Sequence, residues 1–107
     1  MAQNVAELTN EKDFENFIKD GFALVDFFAD WCMPCLIMAP VIDELGSKFK
    51  GKIKFGKINV DENSDLARKF NVFSIPNFIL FENGKIKEKF VGAMPIEDFE
   101  EKLKKHL

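Results

Sequence analysis

The chain has 107 residues, 47% hydrophobic and 31% charged, with a formal net charge of −3. That length holds one hydrophobic core, so a single domain over residues 1–107 is expected, and the composition excludes a disordered or fibrous chain. Lysines alternate with acids and leave no basic footprint for nucleic acid; no stretch reaches membrane-spanning length, and MAQNVAELTNEKDF lacks the features of a signal peptide, so a cytoplasmic location is expected.

Taken in chain order, a short strand is expected before Thr9. Asn10 then caps a helix over Glu11 to Lys19, with Phe14, Phe17 and Ile18 at the spacing of one buried face and Gly21 after its end. FALVDFFA, from Phe22 to Ala29, is an apolar run of strand length, as for a strand covered on both faces, and only Asp26 interrupts it. Helical spacing of Met38, Ala39, Ile42, Leu45 and Phe49 follows, with Pro34 in the first turn and Pro40 inside, where it should bend the helix. IKFGKINV, from Ile53 to Val60, reads as a second central strand. Asn63 or Ser64 caps a short helix through Leu66, Ala67 and Phe70 that Asn71 closes. NFILF and KIKEKFV flank Asn83-Gly84, the strongest short hairpin signal. Pro95 opens a last helix with Ile96, Phe99, Leu103 and Leu107 on one side, its acids early and its lysines late, as the helix dipole favours. Alternation of strands and helices predicts an α/β fold with a mixed central sheet: parallel strands, helices on both faces, and an antiparallel hairpin at the edge.

Both cysteines of the chain stand in DWCMPC. Cys32 follows the first long strand and precedes a helix, so its sulfur should lie among the unpaired N–H groups at the positive end of the helix dipole. A free thiol titrates near about 8.5, and such surroundings bring it toward neutrality or below. Cys35 should face the same side one turn later, within disulfide reach and better shielded, which divides the pair into an attacking and a resolving thiol. A zinc site needs about four ligands, and His106 is the only other soft one. Haem attachment needs a histidine where Leu36 stands. Two buried structural thiols, or a metal or iron-sulfur cluster shared between two chains, are the remaining alternatives; no metal or organic cofactor is expected.

Asp26 is the second anomaly. A carboxylate among Leu24, Val25, Phe27 and Phe28 is expensive to bury charged, so its pKa should rise far enough for it to hold a proton near neutral pH. Lys57, in phase with Ile53 and Phe55, could partner it in an ion pair or stand as an ordinary edge lysine.

DFFADWCMPC, Pro40, KINVDEN, SIPNF, the Asn83-Gly84 turn and VGAMP together resemble the thioredoxin family over essentially the whole chain. The resemblance implies the thioredoxin fold and a protein-disulfide reductase. Cys32 would be its nucleophile, Cys35 the resolving thiol in a Cys32–Cys35 disulfide, Asp26 the proton acceptor for Cys35, and Lys57 the partner of Asp26. Pro76 would be a cis proline facing the cysteines, and Trp31, Met33, Pro34, Ile75, Pro76, Gly92 and Ala93 a rim on which a substrate strand docks. It further implies a monomer acting on disulfide-containing proteins and recharged by a thioredoxin reductase-type donor, in a cytoplasmic role in electron transport and cell redox homeostasis. Met33, Leu36, Asn77 and Phe28 depart from the usual glycine, lysine, threonine and tryptophan of that family. The first two make the surface around the pair more apolar and remove a positive charge.

Overall fold

A computed structural model describes residues 4–107. In chain order its elements are β1 (Ala6–Leu8), α1 (Glu11–Ile18), β2 (Phe22–Phe28), α2 (Met33–Lys48), β3 (Ile53–Asn59), α3 (Ser64–Lys69), β4 (Asn77–Glu82), β5 (Lys85–Val91) and α4 (Ile96–Lys104). The short first strand and all four predicted helices are present. Asn10 caps α1 as its residue type favours: its side-chain oxygen accepts from the Asp13 N–H at 2.8 Å, satisfying a donor the helix itself leaves free. Helix α2 runs through Pro40 without interruption. Leu107 differs from expectation, because α4 ends at Lys104 and the half-exposed Leu107 lies beyond it.

The sheet order is β1-β3-β2-β4-β5. β3 runs parallel to β1 and to β2, whereas β4 runs antiparallel to β2 and β5 antiparallel to β4. The antiparallel part is therefore wider than the hairpin alone. The chain enters β4 at the end of the sheet where β3 left it. The turn closing the hairpin is the predicted one, with Asn83 at φ 51° and Gly84 at φ 84°. Two successive left-handed residues match the twist of the flanking strands, and few residues other than Asn and Gly accept them.

Alternation along β2 and β3 feeds two apolar layers, one on each side of the sheet. Ala23, Val25, Phe27 and Ile58 pack with Phe14 and Ile18 of α1 and Leu66 and Ala67 of α3. Leu24, Ile53 and Phe55 pack with Met38, Ile42 and Leu45 of α2 and Phe99 and Leu103 of α4. Phenylalanines stand in both layers, and several meet edge to face, as Phe14 does with Phe81 and Phe78 with Phe99 at centroid distances of 5.5 and 5.0 Å, the arrangement the ring quadrupole favours. The same alternation sends Asp26 and Lys57 to the α2 side. Asp26 thus reaches the layer next to the cysteines by the same rule that buries Leu24.

Candidate active site

Cys32 is the N-cap residue of α2, with the extended backbone that role requires. Its sulfur occupies the place of a capping oxygen: the Cys35 N–H donates to Cys32 Sγ at 3.3 Å. A donor aimed at the sulfur from the positive end of a sixteen-residue helix favours negative charge there. Cys32 and Cys35 are joined as a disulfide, their Cα atoms 5.2 Å apart, within the range such a bond allows. Both cysteines are equally buried, at 4% exposure, so Cys35 is not the better shielded of the two. What separates them is surroundings. Cys32 stands between exposed Trp31 and Met33 and lies 3.8 Å from the Ile75 carbonyl oxygen, whereas Cys35 turns toward a small cavity behind the pair.

That cavity, about 180 Å³, is lined by Asp26, Phe28, Ala29, Asp30, Cys35, Leu36, Ala39 and Lys57. Asp26 is buried, and its Oδ1 receives no hydrogen bond from the protein. Loss of hydration disfavours the charged carboxylate and lifts its pKa from 3.8 to about 7, against a smaller opposing pull from the Lys57 charge. Asp26 and Lys57 are register partners across β2 and β3. They do not form a direct ion pair, however, because the Lys57 Nζ sits over the Phe28 ring, 5.5 Å from its centroid, where the negative face of the ring holds a cation. Lys57 therefore acts on Asp26 through space. Replacing Lys57 with methionine should raise the Asp26 titration further, by about one pH unit, as read by carboxyl-carbon NMR; an unmoved midpoint would mean the ammonium is screened.

Pro76 is buried beside this site, and its peptide bond with Ile75 is cis. The Gly92 N–H donates to the Pro76 carbonyl oxygen at 2.9 Å, bringing the segment after β5 against the Ile75–Pro76 loop. Gly92 takes φ 90°, a conformation in which a side chain would be strained. Ala93 and Pro34 are exposed, Ile75 half-buried. Trp31, Cys32, Ile75, Pro76 and Gly92 all gather at one end of the sheet because β2 and β5 end there and β4 begins there.

One residue of the site was not singled out by the sequence reading. Asp61 accepts from the Trp31 indole N–H at 2.8 Å, fixing a ring that is 70% exposed. Asp61 is itself placed by Asn59, whose side-chain oxygen accepts from the Asp61 and Glu62 N–H groups at 2.9 and 3.3 Å. The signal lay in the run N-V-D-E-N at the end of β3, where an Asn two residues before an acid favours such a turn.

Comparison with known proteins converges on one family. A family model described as Thioredoxin matches residues 4–105. A thioredoxin of Staphylococcus aureus is 44% identical over 97 residues, covering 91% of this chain and 93% of the relative. Among solved structures, oxidised mitochondrial thioredoxin 3 of Saccharomyces cerevisiae superposes with a TM-score of 0.86 at 32% identity, covering 97% of each chain. A mutant thioredoxin from Halobacterium salinarum reaches a TM-score of 0.87 at 27% identity, covering 95% of this chain and 90% of its own. With its two cysteines bonded across one helical turn at the end of β2, the chain belongs to the thioredoxin family and is a thiol-disulfide oxidoreductase.

Proposed function

We propose that the protein reduces disulfides of other proteins in two displacements, with Cys32 as nucleophile and Cys35 as resolving thiol. The Cys32 thiolate attacks one sulfur of a substrate disulfide, forming a mixed disulfide and expelling the other substrate sulfur as a thiolate. Asp26 takes the proton of the Cys35 thiol, and the resulting thiolate attacks Cys32 Sγ. The Cys32–Cys35 disulfide forms, the second substrate thiolate leaves, and two electrons have passed to the substrate. The observation that carries this assignment is the Cys35 N–H directed at Cys32 Sγ, which marks residue 32 as the sulfur best able to bear charge. Asp26 suits its role because burial raises its pKa to about 7, so it can exchange a proton near neutral pH. Lys57 keeps that value from rising further.

In this reading Trp31, Met33, Pro34, Ile75, Pro76, Gly92 and Ala93 receive the substrate segment beside Cys32. The whole chain works as one domain and as a monomer, in the cytoplasm, recharged by a thioredoxin reductase-type donor, without nucleic acid or membrane as partner. No helix among the described residues is long and apolar enough to cross a membrane.

A Cys35→Ser variant tests the order of events. Mixed in reduced form with a protein disulfide, it should accumulate one covalent adduct per chain, linked through residue 32 and released by added dithiol, as mass spectrometry after alkylation would report. An adduct through residue 35 in the Cys32→Ser variant, with none through residue 32 here, would overturn the assignment.

A further inference from the structure

From Trp31 to Pro40 the chain reads WCMPCLIMAP, ten residues without a charge in a sequence that is 31% charged. Burial does not account for it. Only Cys32, Cys35 and Met38 of this stretch are buried, while Trp31, Met33, Leu36 and Ile37 are exposed by 70, 65, 55 and 62%. Met33, Leu36 and Ile37 are three and four apart on α2, so they form one continuous apolar stripe on the outside of its first turns. Phe73, at 81% the most exposed large apolar side chain among the described residues, precedes Ile75 by two residues in the loop leading to β4. Val91, 58% exposed, ends β5 at the same end of the sheet. Among the described residues, six of the eight large exposed apolar ones thus belong to the segments that surround Cys32; Ile86 and Leu107 do not.

We propose that Leu36, Ile37 and Phe73 extend the docking surface outward from the reacting sulfur and select disulfides whose neighbouring residues are apolar. The occupant is an extended segment of a partner protein, with its half-cystine at Cys32 and large apolar side chains on the stripe and against Phe73. This rests on the proposed reaction and deepens it by naming the substrate class. Three features favour that occupant. The patch adjoins Cys32 along the chain on both sides, through Met33 at the start of α2 and through Ile75, whose carbonyl oxygen lies 3.8 Å from Cys32 Sγ, two residues after Phe73, so a segment lying on it passes the reacting sulfur. It lacks charge over its whole α2 portion, so it offers no ion pair to a polar segment. Exposed Asp30 precedes Trp31 and Asp61 holds its indole N–H, which disfavours acidic substrates on that side of the sulfur, although Lys57 lines a cavity beside Leu36. A scattered exposed apolar residue needs no explanation, whereas a contiguous patch around a reacting group marks a contact surface.

The test compares matched peptide disulfides whose half-cystine is flanked by Leu and Phe, by Ser, or by Glu, in the intact protein. The wild-type protein should show kcat/KM about tenfold higher for the apolar flanks than for serine, since each partly buried apolar side chain contributes on this scale, and lower still for glutamate. In the variant Leu36→Ser, Ile37→Ser, Phe73→Ser the apolar-to-serine ratio should fall to about one. Ile86→Ser, remote from the patch, should keep the wild-type ratio. Taking a ratio removes any common effect of the substitutions on the thiolate. Equal rates for all flanks, or a ratio that survives in the triple variant, would overturn the inference. So would a concentration-dependent dimer abolished by the triple variant, because the patch would then be a contact between copies of this chain. Failure to reduce any of the peptides would count instead against the proposed reaction.

Discussion

Asparagine at position 26 is expected to make the protein more stable at pH 8.5, although it removes a residue of the active site. The buried carboxyl has a folded-state pKa of about 7 against 3.8 for its ordinary value. Between about pH 4 and pH 7 the folded protein holds a proton that the unfolded chain has released, so stability falls as pH rises through that window and stays low above it. At about 1.4 kcal/mol per unit, the penalty above pH 7 is about 4 kcal/mol. Asparagine carries no charge at any of these values, so Asp26→Asn removes the slope. Urea unfolding should therefore show the variant and wild type nearly equal near pH 4 and separated by about 4 kcal/mol, in favour of the variant, at pH 8.5. A gap that does not change with pH would mean that Asp26 keeps a normal pKa. On the proposed mechanism the same variant lacks the proton acceptor for Cys35, so its second displacement should slow while the first proceeds.

Cys32→Ser should separate catalysis from folding even more sharply. Without the attacking sulfur, reduction of a protein disulfide should drop by at least about a thousandfold. The fold should not suffer, because residue 32 caps α2 through its side chain and serine is a preferred residue for that position. Compared with the reduced wild type, the variant is expected to unfold at equal or slightly higher denaturant concentration. Loss of stability by more than about 1 kcal/mol would show that the sulfur holds the helix end in some way an oxygen cannot.

Features governed by neighbours in sequence were the legible ones. Asn10, the Asn83-Gly84 turn and the charge order of α4 are short-range chemistry, and each stands in the structure as read. The pairing of Asp26 with the level of Lys57 was also within reach, since alternation along two strands puts both on one side of the sheet. Their separation was not, because it depends on Phe28 offering its ring to the ammonium, a choice made in three dimensions. The direction of β4 was not legible, because the connection from Val60 to Pro76 could return the chain along β3 or leave it at the same end of the sheet, and no local pattern distinguishes the two. Leu107 fitted a helical period that its helix did not last long enough to use. Asn77 illustrates a further gap: its side chain is buried with Oδ1 unpaired, and nothing in the pattern NFILF distinguishes it from a strand residue facing water. The surface position of Leu36 was legible from the family resemblance and stands in the structure, whereas Ile37 and Phe73 were not singled out, because no local pattern marks an apolar residue as exposed.

The position of the two sulfurs on one turn of a helix also bears on how easily the molecule changes state. Residues three apart in a helix are neighbours whether or not a bond joins them, so charging and discharging this carrier asks for side-chain adjustment only. The rigid scaffold acts as a fixed electrode mount, and the work of moving is left to whatever arrives at it.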